Sequence, residues 1–486
     1  MLMTSREKKE PGTFSVRAGT FSVRARRTLL ATLLSTLVAC APLYIAPSQR
    51  TPAQAEPTSA TEGVVYAFGD MGAPTPGLAD VTAAMAKELA ADHAGGHVKE
   101  SPLLLGLGDN LYEVGLPRPG TGDTAPIRRL GRIADLLARC RFGGRPAPLV
   151  LVPGNHDYGD RALPRDRDEG DITRWYYLDD LGIGGVSHWT MLPGERPKEA
   201  GDAAKLYERL YEAPERLSEF MRPRRIPHTP ASLAIVAIDS QLLIDLFAAG
   251  RDDLAARYLE ALDRELARAA SARWRLVATH HPVESYGAHH VTMPARFLLG
   301  PGWRQFRSPW EVVLAIPPLG TLATTVRWAI ASNQDSHSSA NRAYRKALLE
   351  RLERHHAAVV LSGHDHNSQL IELDAPGGSR SILQVVSGVA AKLDPVTRGN
   401  GTLFYHSGYG YTRLAVHATH LEIAFKDRSG ATLFRYRVAS NTLSAGEGDV
   451  IGDRLERALV TGRHERQRGA GAEGAAGAAY SVHVRV

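Results

Sequence analysis

The chain has 486 residues, 43% hydrophobic and 23% charged, with a formal net charge of +6. That composition excludes a wholly disordered chain and allows a sizeable core. Residues 1–39 hold seven Lys or Arg against two Glu, so five of the six net charges lie in the leader; the body lacks a polyanion-binding surplus, and nucleic-acid binding is not expected.

The leader itself reads as an export signal. Arg24, Arg26 and Arg27 precede an uncharged apolar run at 28–39 that is too short to span a bilayer. Upstream, "GTFSVRA" occurs twice in tandem, at 12–18 and 19–25, with no chemistry attached. The run ends in "LVAC", which resembles the bacterial lipobox. On that reading residues 1–39 are removed and Cys40 is acylated, so that a membrane is a partner through the lipid anchor and the protein faces periplasm or cell surface. A buried free cysteine is the bland alternative. Cys140 is the only other cysteine, so lipidation of Cys40 leaves no intrachain disulfide. Residues 40–62, rich in Pro, Ala, Ser and Thr, read as a flexible tether.

From Gly63 short apolar runs alternate with amphipathic stretches. "VVYAF" precedes a helical pattern at 77–92, "LLLGL" one at 127–139, and "PLVLV" leads to Pro153; "LAIVAI", a helix at 251–270, "WRLVA", a helix at 342–356 and "AAVVLS" follow. This is the pattern of an α/β layered sheet. After 380, "SILQVVSG", "TRLAVHA", "HLEIAF" and "TLFRYRV" suggest an antiparallel finish. Insertions at about 159–230 and 291–341 interrupt the 63–440 body; the second contains an uncharged stretch at 312–326 that reads as a lid or satellite core. Residues 441–486 turn Gly/Ala/Arg-rich, the composition of a mobile tail.

The residues that follow the apolar runs carry the chemistry. They are Asp70 in "GDMG", Asp109 and Tyr112 in "GDNLY", Asn155, His156 and Asp157 in "GNHD", His280 and His281 in "VATHH", and His364, Asp365 and His366 in "GHDH". One Gly-Asp after a strand is ordinary turn chemistry, and one histidine is usually structural. Five strand ends in succession are not explained as turns, because the carboxyl ends of strands in open α/β sheets line the ligand crevice. Carboxylate and amide oxygens mixed with imidazoles, without thiolates, suit iron, manganese or zinc, and the donor count suits two ions bridged by a carboxylate. Asp239 after "LAIVAI" reads either as a partner to a metal ligand or as a strand-end turn.

In order and type these five motifs resemble those of the purple acid phosphatases, within the calcineurin-like metallophosphoesterases, from about Gly63 to Val438. The similarity leans toward the tartrate-resistant acid phosphatase-like branch. The first motif lacks the Asp-x-His of most metallophosphoesterases, and Tyr112 stands in for the missing imidazole. The resemblance implies a layered β-sandwich flanked by helices, four layers in the order α/β/β/α. It assigns Asp70, Asp109, Tyr112 and His366 to Fe(III), and Asp109, Asn155, His280 and His364 to a divalent ion (Fe, Zn or Mn), with Asp109 bridging. It further implies a phosphomonoesterase with an acidic optimum, in which a metal-bound hydroxide attacks phosphorus in line. The leaving alcohol would be protonated by His156, oriented by Asp157, with His289 in the place of a second active-site histidine. His281 is not counted among the ligands. A phosphodiesterase or nucleotide-cleaving enzyme on the same metals is the first alternative, because substrate choice lies in loops 113–130, 159–230 and 284–341. A non-catalytic lipoprotein binding a phosphorylated ligand is the second.

Overall fold

In the computed structural model the structure describes residues 61–96, 98, 100–112, 115, 125–158, 189–190, 222–287, 289, 335–374, 381–394 and 396–439. The leader, Cys40, the tail, most of the 159–230 insertion, most of the 291–341 insertion and the tether lie outside these residues, except that the tether's last two, Thr61 and Glu62, already belong to the first strand. All described residues belong to one of the chain's two compact units; the other, Met1–Tyr44 with Met293–Thr325, lies outside them.

The first sheet forms around the earliest apolar runs. Strands β1 (Thr61–Phe68), β2 (Leu103–Leu107) and β5 (Leu149–Val152) pair in parallel. β1 also pairs antiparallel with β14 (Gly410–His417), which continues through β15 (His420–Asp427) to β16 (Thr432–Ala439). With the short β6 (Trp189–Thr190) at the far edge, the order is β16-β15-β14-β1-β2-β5-β6. A small hairpin, β3 (Arg141–Phe142) with β4 (Arg145–Pro146), stands apart. The second sheet has the order β13-β11-β12-β10-β9-β8-β7. Its parallel centre is β8 (Leu233–Ala237), β9 (Trp274–Ala278), β10 (Val359–Ser362) and β12 (Ser381–Ser387), with β7 (Arg224–Arg225), β11 (Ser368–Asp374) and β13 (Thr402–His406) antiparallel at the flanks.

Alternation along the strands creates the layers. Val65, Ala67, Leu105, Leu107, Val150 and Val152 of the first sheet share a core with Ile235, Ala237, Leu276, Val359, Leu361 and Val385 of the second. The intervening Val64, Tyr66, Leu104 and Leu151 turn the other way and pack with helices α1 (Pro76–Gly95) and α2 (Ala125–Leu137). Val236, Val277 and Val360 do the same toward α3 (Ser240–Ala248), α4 (Asp252–Arg268) and α5 (Ser339–Arg354). With a side-chain period of two, a strand between two apolar layers must be apolar at every position, which is why these segments read as unbroken runs. The result is the expected helix–sheet–sheet–helix arrangement.

The helices start where the sequence offers acceptors to unpaired N–H groups. Thr75 caps α1 ahead of Pro76, Ser338 caps α5, and Asp239 caps α3 by accepting from Leu242 N–H at 2.9 Å. Helix α3 and strand β11 have no counterpart in the sequence reading. The antiparallel finish needs one correction: β12 runs antiparallel to β11 but parallel to β10. "SILQVVS" is buried at six of seven positions, because it sits inside the second sheet between two neighbours.

Candidate metal centre

Each of the five motifs follows the last residue of a parallel strand: Asp70 after β1, Asp109 after β2, Asn155 after β5, His280 after β9 and His364 after β10. The two sheets are tied together at this end, where Gly69 N–H donates to the Ser387 carbonyl of β12 at 2.7 Å and His364 N–H, after β10, to Asp70 Oδ2 at 2.9 Å. Asp70, Asp109 and His364 have φ of 60°, 51° and 69°, a left-handed conformation that costs non-glycine residues of order 1 kcal/mol or more and that clusters at functional sites. Two glycines make the approach possible. A Cβ on Gly108, at φ +92°, would lie 2.2 Å from His280 Nδ1, and one on Gly154 would lie 2.3 Å from Asp109 Oδ1.

The donors form two groups that share Asp109. In the first, Tyr112 Oη donates to Asp70 Oδ1 at 3.0 Å and lies 3.2 Å from His366 Nε2, which is 3.4 Å from the same Asp70 oxygen. In the second, His280 Nε2 is 2.9 Å from Asn155 Oδ1, 3.3 Å from Asp109 Oδ1 and 3.3 Å from His364 Nδ1. Asp70, Asp109 and His280 each bring one donor atom within 4.8 Å of the others. Asp109 also acts on Tyr112: burial, then the Asp109 and Asp70 carboxylates, push the phenol well above its ordinary pKa.

The imidazoles face inward in fixed orientations. His280 Nδ1 lies 2.8 Å from the Leu107 carbonyl, an acceptor only, so Nδ1 carries a proton and Nε2 is turned toward Asn155 Oδ1 and Asp109 Oδ1. His366 Nδ1 is 2.5 Å from Asp394 Oδ2, which leaves Nε2 aimed at Tyr112 and Asp70. In the structure as it stands burial lowers the His366 pKa, but Asp394 and Asp70 outweigh it and lift the group to about 10. Carboxylate and amide oxygens crowded into a buried space repel one another unless positive charge lies between them, a place that the His366 proton takes here and a metal cation can take instead, and an imidazole tied to a carbonyl or carboxylate on its far side is the usual support for a metal ligand. The residues present therefore fit metal ions.

The other predicted residues fall around this core. His156 N–H donates to Asp109 Oδ1 at 3.0 Å, and its ring lies edge-on to Tyr112 with centroids 4.7 Å apart. His289 lies against His364 with ring centroids 4.5 Å apart and planes tilted by 39°, its N–H donates to Asp365 Oδ1 at 3.0 Å, and its Nδ1 is 3.9 Å from Asp335. The side chains of His156 and His289 are 24% and 29% exposed, against 9% or less for Asp70, Asp109, His280 and His366. Asp157 is buried, and the contacts described at its carboxylate are with Asn110, Leu111 and Gly154. Asp239 caps α3 and accepts from Tyr158 Oη at 2.6 Å.

The sequence reading set His281 aside as a ligand, and two further residues escaped it. His281 is buried with its ring 4.3 Å from that of His364, and its donor atoms come within 4.8 Å of those of His280 and His364, while Nδ1 is 2.9 Å from Ser240 Oγ. Asp394 supports His366, and Lys392 places Nζ 3.2 Å from the centroid of the Tyr112 ring. The one available signal for the last two was a charged pair, "KLD", soon after a buried strand.

No protein-family model matches the chain, and no curated protein sequence does. Among solved structures it is similar to GAP50, described as the anchor in the inner membrane complex of Plasmodium, with 13% identity and a TM-score of 0.44 over 82% of this chain and 94% of that one. It is also similar to the purple acid phosphatase PPD1 from yellow lupin seeds, with 13% identity and a TM-score of 0.44, covering 80% of this chain and 57% of that one. PhoD gives 13% identity and a TM-score of 0.44 over 86% of this chain and 80% of that one.

Proposed function

We propose that the protein is a binuclear metallophosphoesterase that hydrolyses phosphate monoesters, with Fe(III) at Asp70, Asp109, Tyr112 and His366 and a divalent ion at Asp109, Asn155, His280 and His364. The observation that carries this reading is the convergence of two donor groups on Asp109, with His280 Nε2 and His366 Nε2 turned inward by the Leu107 carbonyl and Asp394. A phenol that burial and carboxylates keep protonated loses its proton when a cation joins the site, and a phenolate is a hard, anionic donor suited to iron(III).

Bound at these donors, two ions supply Lewis acidity toward phosphoryl oxygens and make water a nucleophile at moderate pH. The chain's own contribution is orientation and proton delivery. His156 is held at the rim by its N–H bond to Asp109, with Nε2 3.9 Å from Asp109 Oδ2. A partly exposed imidazole beside the donors is placed to protonate a leaving alkoxide. His289, against His364 on another side, is the second group open to a bound ester. We further propose export and anchoring through acylated Cys40, which would confine this hydrolysis to a membrane surface.

The test is a visible spectrum with metal analysis on wild type and Tyr112→Phe. A broad visible band with iron present, lost in the variant, supports the ferric assignment. Active but colourless wild-type protein keeps the two-metal esterase and removes iron(III). Turnover of p-nitrophenyl phosphate against bis(p-nitrophenyl) phosphate reads the substrate class, and a clear preference for the diester overturns the monoesterase.

A further inference from the structure

We propose that Lys392 is a positioning residue for Tyr112, its ammonium on the ring face tuning the electron donation of the tyrosinate to iron. This rests on the reading above that Tyr112 holds a ferric ion. Tyr112 is 1% exposed, and the ammonium lies 3.2 Å from its ring centroid, well inside the distance at which a cation is attracted to an aromatic face.

The contact belongs to a pinned loop and not to a wandering surface chain. Residues 388–394 leave β12 beside the site: Gly388 N–H donates to the Asn367 carbonyl at 3.2 Å, Ala390 N–H to the Gly69 carbonyl at 3.3 Å and Asp394 N–H to the His366 carbonyl at 2.8 Å. The Asp394 carboxylate pairs with His366 Nδ1 at 2.5 Å, so one short loop touches both the imidazole and the phenol of the first donor group. Asp394 brings negative charge to the histidine, and Lys392, two residues earlier, brings positive charge to the tyrosine.

A positive charge lies closer to the ring π electrons than to any ion beyond Tyr112 Oη, so it lowers the energy of the phenolate electrons more than that of the iron orbitals that receive them. Promoting an electron from tyrosinate to iron(III) then takes more energy, and the phenolate donates less charge in the ground state, which favours the ferrous form. Removing the charge reverses both effects.

The experiment compares wild type, Lys392→Met, Lys392→Arg and Tyr112→Phe as full-length iron-loaded protein, reading visible spectrum, iron content and the ferric/ferrous midpoint potential. We expect the Lys392→Met band at longer wavelength with a lower midpoint potential, and Lys392→Arg close to wild type in both. An unmoved band in Lys392→Met, with iron retained, overturns the inference while the Tyr112 assignment stands. Equal shifts in Lys392→Met and Lys392→Arg also overturn it, because packing and not charge is then the cause. A wild-type protein without a tyrosine-dependent band removes the underlying ferric reading, and the inference with it.

Discussion

Replacing Asp157 with asparagine takes one oxygen from a carboxylate that joins two strand-end loops. Oδ1 accepts from the N–H groups of Asn110 at 2.9 Å and Leu111 at 3.1 Å, and Oδ2 from Gly154 N–H at 2.8 Å and Asn110 Nδ2 at 3.0 Å. An amide keeps one acceptor and turns an NH₂ toward the other two donors, so in either orientation two buried N–H groups meet a donor. Hydrogen bonds to a charged partner are worth roughly 1.5–3 kcal/mol each. Relief of the buried charge, which burial and the Asp109 carboxylate oppose, offsets part of that loss. The net destabilisation is about 3 kcal/mol, a fall in unfolding midpoint of order 5 °C for a domain of this size. Circular dichroism on heating gives the midpoint, and metal content should fall with it, because Asn110 and Leu111 lie between Asp109 and Tyr112. A variant with wild-type midpoint and full metal content but slow turnover would refute this account, and would favour a role for Asp157 in orienting His156.

Gly154→Ala places a Cβ 2.3 Å from Asp109 Oδ1 and 3.0 Å from His280 Cε1; the Asp109 carboxylate must move, and we expect loss of bound metal read by elemental analysis, with turnover falling in proportion. Asp394→Asn removes the charge behind His366 Nδ1 and should weaken metal binding on the order of 10- to 100-fold in a chelator competition. Asp239 gives a pH prediction: burial, outweighing its hydrogen bonds, raises its pKa to about 6. Because the folded acid binds its proton more tightly than the unfolded one, its contribution is complete below about pH 4 and is lost as pH rises toward 6, about 3 kcal/mol in all. Relative to Asp239→Asn, wild-type protein should therefore lose stability between pH 4 and 6 in chemical denaturation; a constant difference would contradict the assignment.

The sequence by itself placed the donors. Fully buried parallel strands must be apolar throughout, so the first Asp, Asn or His after each run marks a strand end, and β1, β2, β5, β9 and β10 end where the runs predicted. That rule operates over a few residues and is readable in one dimension. The same locality explains what it missed. "SILQVVS" looked like part of an antiparallel finish because an apolar strand does not reveal the direction of its neighbours. Asp239 became a helix cap through the direction taken by the chain after it, and Asp157 met Asn110 and Leu111 only because two loops fold together. Lys392 reached Tyr112 across 280 positions of sequence, and Asp394 reached His366 through a loop returning from another strand. Donor identity is a property of residues next to a strand end and is written there. The partners that set each donor's charge, tautomer and orientation are neighbours in space only, so they were decided when the two sheets packed and brought their loops to one end.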